Sequence, residues 1–161
     1  MKLWLARHGQ AGPYSVDPVK ERDRGLTPQG RAVVVAIAKE MRSAGELPNQ
    51  IYASEYARAR ETADAIGTIL KIPVDVIDEL APHAPVYSMV KRFAGDDNIS
   101  RAMLVGHSDN FNALYAQLTG DDDADDFVKA EVRRLKLDRD TLEAKLKWQL
   151  RPSDLGLRDQ G

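Results

Sequence analysis

The chain has 161 residues, 43% of them hydrophobic and 30% charged, with a formal net charge of −2 and no cysteine. This is the size and balance of one domain with a core of its own, expected over residues 1–161, and the slightly acidic charge speaks against a nucleic-acid or anionic-membrane partner. The lack of cysteine excludes disulfides, thiolate catalysis and cysteine-held metals and fits a cytoplasmic protein, while neither a secretory leader nor an apolar run of bilayer length is seen.

Residues 3–6 form a short apolar run that breaks off at Arg7-His8-Gly9 and reads as a buried first strand. Ligands of open parallel sheets bind beyond the carboxyl ends of the strands, so Arg7 and His8 are expected where chemistry is done. Gly9 would let the backbone bend closely there. Residues 11–18 are rich in breakers and predict a loop. Residues 20–25 are charged and expected to be exposed; Asp23 and Arg24 read as exposed charge, with a place at the entrance to the site as the alternative. A helix then starts at Thr27, a good N-cap, with Pro28 in the first helical position. Val34, Ile37, Ala38 and Met41 are its apolar stripe, and Gly45 is its stop.

Residues 49–53 predict a second strand ending at Ser54, which is expected to cap a helix running to about Leu70. The stripe of that helix is Ala59, Thr62, Ala63, Ile66 and Leu70. Residues 73–77 predict a third strand, and 81–85 a loop fixed by two prolines around His83. Residues 86–94 carry Val86, Met89, Val90 and Phe93 on one helical face. The run 102–105 repeats the design of the opening: a buried strand, then Gly106-His107, then Ser108 as the expected cap of a helix to about Leu118. Gly120 ends that helix, and the acidic run that opens at Asp121 and closes at Asp126 reads as a solvated loop. Residues 128–137 alternate imperfectly, with a phase slip near Arg133 and Arg134 that suggests a bulge. Ala144, Leu146, Trp148 and Leu150 alternate with polar residues and predict a strand buried on one face, after a turn over 138–141. Residues 154–161 read as a frayed tail. Strands alternating with helices and closing in a hairpin imply an α/β three-layer sandwich: a mostly parallel central sheet with an antiparallel edge.

Strand ends and a helix start thus supply Arg7, His8, Arg58 and His107. Arginine forks match phosphate oxygens, and helix N-termini add aligned N–H donors. Such a cage suits a dianion. An unprotonated histidine inside it can attack phosphorus, and a protonated second one would stabilise charge on the equatorial oxygens. Arg60, two residues beyond Arg58, points elsewhere on a helix and is expected at the surface.

Four ordered motifs carry a resemblance: Arg7-His8-Gly9, Leu26-Thr27-Pro28-Gln29-Gly30, Ser54 with Arg58-Ala59-Arg60-Glu61-Thr62-Ala63, and Gly106-His107. Over residues 1–118 the chain resembles the histidine phosphatase, or phosphoglycerate mutase-like, superfamily. The resemblance implies the phosphoglycerate mutase-like fold and a covalent phosphohistidine at His8. It also implies a phosphate pocket of Arg7, Arg58 and His107 and no metal or cofactor. Mutase and fructose-bisphosphatase branches place an acid in an LxE pattern after the third strand; here Leu80-Ala81-Pro82 stands there, with proline in the place of the acid. An alkoxide leaving group needs a proton, and a phosphoramidate needs far less help. The chain therefore looks most like the SixA-type phosphohistidine phosphatases, with a phosphorylated protein as partner. A small phosphorylated molecule or phosphoserine is the alternative substrate, with Asp78, Glu79 or His83 supplying the proton. A phosphate-binding module without catalysis is the reading from a different class.

Overall fold

The computed structural model describes residues 1–158. Three parallel connections come first. Strand β1 (Lys2–Arg7) leads through a short helix α1 (Pro18–Arg22) and α2 (Pro28–Ala44) to β2 (Gln50–Ala53). Helix α3 (Ala57–Leu70), strand β3 (Val74–Val76), a single turn Asp78–Leu80, helix α4 (Val86–Ala94) and strand β4 (Arg101–Gly106) follow. Helix α5 (Ser108–Thr119), strands β5 (Val132–Leu137) and β6 (Ala144–Leu150), and a turn Pro152–Leu155 complete the order. The sheet runs β3-β2-β4-β1-β5-β6. Its first four strands pair in parallel, and β5 and β6 form the antiparallel edge. No helix among the described residues is long and apolar enough to cross a membrane.

The alternation within β1 builds both halves of the core. Trp4 and Ala6 face one side and pack with Val34, Ile37, Met41 and Ile66 under α2 and α3. Leu3 and Leu5 face the other and pack with Met89, Phe93, Phe111 and Leu114 under α4 and α5. A central parallel strand is covered on both faces, which is why residues 3–6 are continuously apolar. Helix α2 begins as expected: Thr27 accepts the Gly30 N–H at 2.9 Å, and Gly45 ends the helix at a φ of 94°. Helix α4 occupies the residues its apolar face predicted.

Several expectations are corrected. The charged stretch 20–25 is partly folded into α1, and the side chains of Glu21 and Arg24 are largely covered. The β5 phase slip is real, but the register shifts between Arg134 and Leu135, whose partners are Trp148 and Leu146; the additional residue is Lys147 on β6. The imperfect alternation has a second cause. Arg133 and Arg134 are both buried, on opposite faces, each beside a carboxylate and an aromatic ring. Arg133 meets Glu131 at 2.5 Å and the Phe127 ring at 3.9 Å; Arg134 meets Glu46 at 2.6 Å and the Trp4 ring at 5.5 Å. On β6 the extra residue Lys147 breaks the single face expected there: Ala144 packs on the Leu3 and Leu5 side, Trp148 and Leu150 are half-buried on the Trp4 side, and Leu146 is exposed. The start of the expected tail is ordered: Asp154 closes a capping box with Arg151, and Leu155 and Leu157 pack on the core. Residues 159–161 lie outside the described residues.

Candidate active site

Topology brings the motif residues together. Strands β1 and β4 are adjacent and in register, Arg7 opposite Gly106, so both chains leave the sheet side by side. The His8 N–H donates to the Gly106 carbonyl at 3.0 Å, and the His8 and His107 ring centroids lie 5.4 Å apart. Strand β2 ends next door, where the Ser54 N–H donates to the Val105 carbonyl at 3.0 Å. Four residues beyond Ser54, the first turn of α3 carries Arg58 back over the strand ends.

The glycines and threonines of the motifs make this convergence possible. A Cβ on Gly9 would lie 2.7 Å from Val34 Cγ2, and one on Gly30 only 2.2 Å from the Gln10 carbonyl oxygen. Helix α2 therefore abuts the end of β1 with no room for a side chain. Thr62 Oγ1 accepts the Gly9 N–H at 3.0 Å and donates to the Arg58 carbonyl at 2.7 Å, tying the bend after His8 to α3. The loop 127–131 closes from the other side, with Ala130 N–H donating to the His8 carbonyl at 3.1 Å.

These elements surround a cavity of about 330 Å³ lined by Arg7, His8, Arg58 and His107, with Arg24, Lys129, His83, Asp109, Ser108 and Pro82 completing its wall. All four residues singled out in the sequence are thus brought together. His8 Nδ1 lies 2.8 Å from the Gly9 carbonyl, which can only accept; Nδ1 therefore carries the proton and Nε2 keeps its lone pair. Burial, aided by the charges of Arg58 and Arg7, holds the His8 pKa well below the usual imidazole value. Its ring is a neutral base. His107 is likewise neutral in the resting site, its pKa lowered to about 3 by burial and then by the Arg58 charge. The protonated second histidine considered from sequence thus requires an anion to be bound first. Arg7 and Arg58 each keep a buried Nε–H without a hydrogen-bond partner. Their other contacts hold the guanidinium groups in place: Arg7 Nη1 donates to the Phe127 carbonyl at 2.7 Å, and Arg58 Nη1 to the Glu21 carbonyl at 3.2 Å.

The two serines do different work from that expected. Ser54 Oγ lies 2.9 Å from His107 Nε2 and accepts the Tyr56 N–H at 3.2 Å, while α3 starts after Tyr56 with no side-chain cap. Ser108 lies inside α5, whose N-cap position is taken by His107.

Lys129 and Asp109 are the lining residues that sequence reasoning missed. Arg24, for which the sequence favours exposed charge over a place at the entrance, lines the cavity. It is held at 2.6 Å by Glu21, whose carboxylate also accepts the Ser15 N–H at 2.8 Å and lies 3.6 Å from Arg58. Lys129 follows the acidic run in no motif, and Asp109 resembles any acidic residue in a helix's first turn. Glu79 does not line the cavity: it pairs with Arg92 through two contacts of 2.7 Å, and that partner lowers its pKa. Arg60 is at the surface as expected, donating to the Glu55 carbonyl at 3.3 Å. No group of three or more His, Asp or Glu side chains among the described residues is arranged to hold a metal ion.

Residues 3–82 match the model of the histidine phosphatase superfamily (branch 1). Over 87 residues the chain is 37% identical to human "Serine/threonine-protein phosphatase PGAM5, mitochondrial", and 36% identical to the rat protein of that name. The match covers 52% of this chain and 29% of each relative, so it spans under a third of their length. In fold the chain is similar to the protein histidine phosphatase SixA complexed with tungstate, with a TM-score of 0.85, 21% identity, and 96% and 99% of the two chains covered. It is also similar to a structure from Agrobacterium tumefaciens assigned to phosphohistidine phosphatase SixA (TM-score 0.80, 26% identity, 94% and 97% covered). A mycobacterial glucosyl-3-phosphoglycerate phosphatase shares the fold at a TM-score of 0.69 and 19% identity, with 91% and 96% covered. The family match ends at Pro82, but the SixA-like fold carries on through β4 and the late histidine His107 into α5. The chain belongs to the histidine phosphatase superfamily, and its fold is that of the SixA-type branch.

Proposed function

We propose that this protein is a phosphatase that works through a covalent phosphohistidine at His8 and takes its phosphate from a phosphorylated histidine in a protein. The observation that carries this reading is the tautomer of His8: Nδ1–H is bound to the Gly9 carbonyl, so the lone pair of Nε2 is free to attack. Arg7 and Arg58 bind the phosphoryl oxygens, each with a buried Nε–H that lacks another partner. His107 takes up a proton as the dianion arrives and then donates to an equatorial oxygen. In the first step the Nε2–P bond forms while the bond to the leaving group breaks; in the second, water releases phosphate and restores His8.

The substrate reading rests on the leaving group. Pro82 stands where an acid would be, and Glu79 is engaged by Arg92. A departing imidazole tolerates this better than an alkoxide does. The similarity to SixA structures supports the same choice. A second reading, phosphate esters, is favoured by the serine/threonine phosphatase relatives and by the placement of His83 at the cavity.

The test is rapid quenching after mixing with a phosphohistidine-bearing protein. Acid-labile, alkali-stable phosphate should appear on His8, and His8→Ala should abolish both the trap and turnover. Turnover surviving in His8→Ala ends the mechanism. A higher kcat/KM on phosphoserine peptides moves the substrate to esters. Phosphate binding with no turnover of either substrate would make the protein a binding module.

A further inference from the structure

His83 is unused in the chemistry above, yet the fold holds it with some care. It has a φ of 65°, a left-handed conformation uncommon outside glycine. Two consecutive residues of α5 keep it there. Asn110 accepts the His83 N–H at 3.3 Å through Oδ1, and its Nδ2 donates to the Ala81 and Ala84 carbonyls at 3.0 Å each. Asp109 takes the ring, its Oδ2 lying 2.7 Å from His83 Nδ1. A carboxylate can only accept, so Nδ1 carries a proton and Nε2 is left for solvent or substrate. The ring itself is 86% exposed.

The position matters as much as the pairing. His83 and Asp109 line the phosphate cavity and also a second cavity of about 400 Å³ between α5 and the loop that leads into α4, walled further by Pro85, Val86, Ala113 and Leu114. They stand where the two spaces meet. A substrate whose phosphate lies among Arg7, Arg58 and His107 and whose remainder lies in the second cavity passes its scissile bond by His83.

We propose that His83, oriented by Asp109, protonates the leaving group and then deprotonates the attacking water, which opens the site to phosphate esters. The proposal rests on the His8 mechanism. In the first step His8 Nε2 bonds to phosphorus, the P–O bond breaks, and its electron pair takes the proton from His83 Nε2, releasing an alcohol. In the second step water bonds to phosphorus and passes a proton to His83 Nε2, and the P–N pair returns to His8. The charged groups around the ring are Asp109 and the bound dianion, and across the cavity Arg7 at the end of β1, Arg58 on α3, Arg24 and Lys129; His8 and His107 are neutral. Asp109 is a positioning residue and His83 a catalytic one.

The test compares phenyl phosphate, a poor leaving group, with p-nitrophenyl phosphate, a good one, in wild type, His83→Ala and Asp109→Asn. His83→Ala should lose about 100-fold or more in kcat/KM on phenyl phosphate but less than about tenfold on p-nitrophenyl phosphate, and lose the alkaline limb of the phenyl phosphate pH profile. Asp109→Asn should keep that limb and move it to lower pH, a shift that a merely structural role would not produce. Equal losses on both substrates, no loss on phenyl phosphate, or a wild type that does not turn it over would overturn the proposal. Quenching with p-nitrophenyl phosphate separates the two levels. Phosphate trapped on His8 of wild type and His83→Ala, without the leaving-group difference, refutes the role of His83 alone. No phosphate on wild-type His8 refutes the mechanism, and this proposal with it.

Discussion

The neutral state of His107 has a consequence for stability that can be measured without a substrate. The ring is 4% exposed and its pKa is lowered to about 3, first by burial and then by the Arg58 charge. An unfolded chain binds a proton at this residue near the ordinary imidazole value, about 6.5. Between these two values the unfolded state holds a proton that the folded state refuses, so folding stability falls as pH falls. The contribution is fully present above about pH 6.5 and erodes toward pH 3 at a slope approaching 1.4 kcal/mol per pH unit, roughly 2 kcal/mol between pH 7 and pH 5. His8 is shifted in the same direction for the same leading reason and steepens the loss. Glu21, Glu46 and Glu79 have pKa values lowered from 4.5, so their contributions fade at lower pH and leave this window to the histidines. Urea unfolding of wild type and His107→Gln at pH 7 and pH 5 isolates the effect, since the amide of glutamine can still donate to Ser54. Wild type should lose about 2 kcal/mol more than the variant between the two pH values. Equal losses would mean that His107 is not a buried neutral base, and the account of the resting site would fall.

Two further outcomes follow from particular contacts. Thr62→Val keeps the shape of the side chain but leaves the Gly9 N–H buried without its acceptor at 3.0 Å. It should cost about 2 kcal/mol, or about 4–8 °C in thermal unfolding, whereas Thr62→Ser, which keeps the hydroxyl, should cost about 1 kcal/mol. A valine variant as stable as the serine variant would show that the hydroxyl does not hold the bend after His8. Glu79→Gln should leave kcat/KM on phosphohistidine and on phenyl phosphate within about twofold, because Glu79 is held by Arg92 outside the cavity. A loss of about 100-fold, the scale of a missing general acid, would return the proton to this loop's carboxylate.

What could be read from the chain alone was what short-range physics governs. The apolar run of β1, the stripe of α2 under its Thr27 cap, and the face of α4 all repeat with the period of their own backbone, and they fold as that period dictates. The four residues Arg7, His8, Arg58 and His107 were visible because each sits at a strand end or helix start, in a short motif that also holds a glycine, serine or threonine. The structure then brings these four to one cavity.

Side chains whose partners come from elsewhere in the chain were not legible. Ser54 has the local chemistry of a helix cap, yet His107 engages its hydroxyl from a strand end 53 residues away. Arg24 looked like one more charge in a polar run until Glu21 and Arg58 folded it against the cavity. Arg133 and Arg134 break the alternation of β5, and only their carboxylate and aromatic neighbours explain why. For His83 the sequence allows plain loop as well as a substrate-facing or proton-donating role, and its meeting with Asp109 depends on how α5 packs beside residues 81–84. The elements, the order of the motifs and the kind of anion they suit follow from periodicity and residue chemistry along the chain. The tautomer of His8, the neutrality of the histidines and the charges that reach the cavity depend on the packed fold, because burial and through-space contact set proton affinity and neither is written in local spacing.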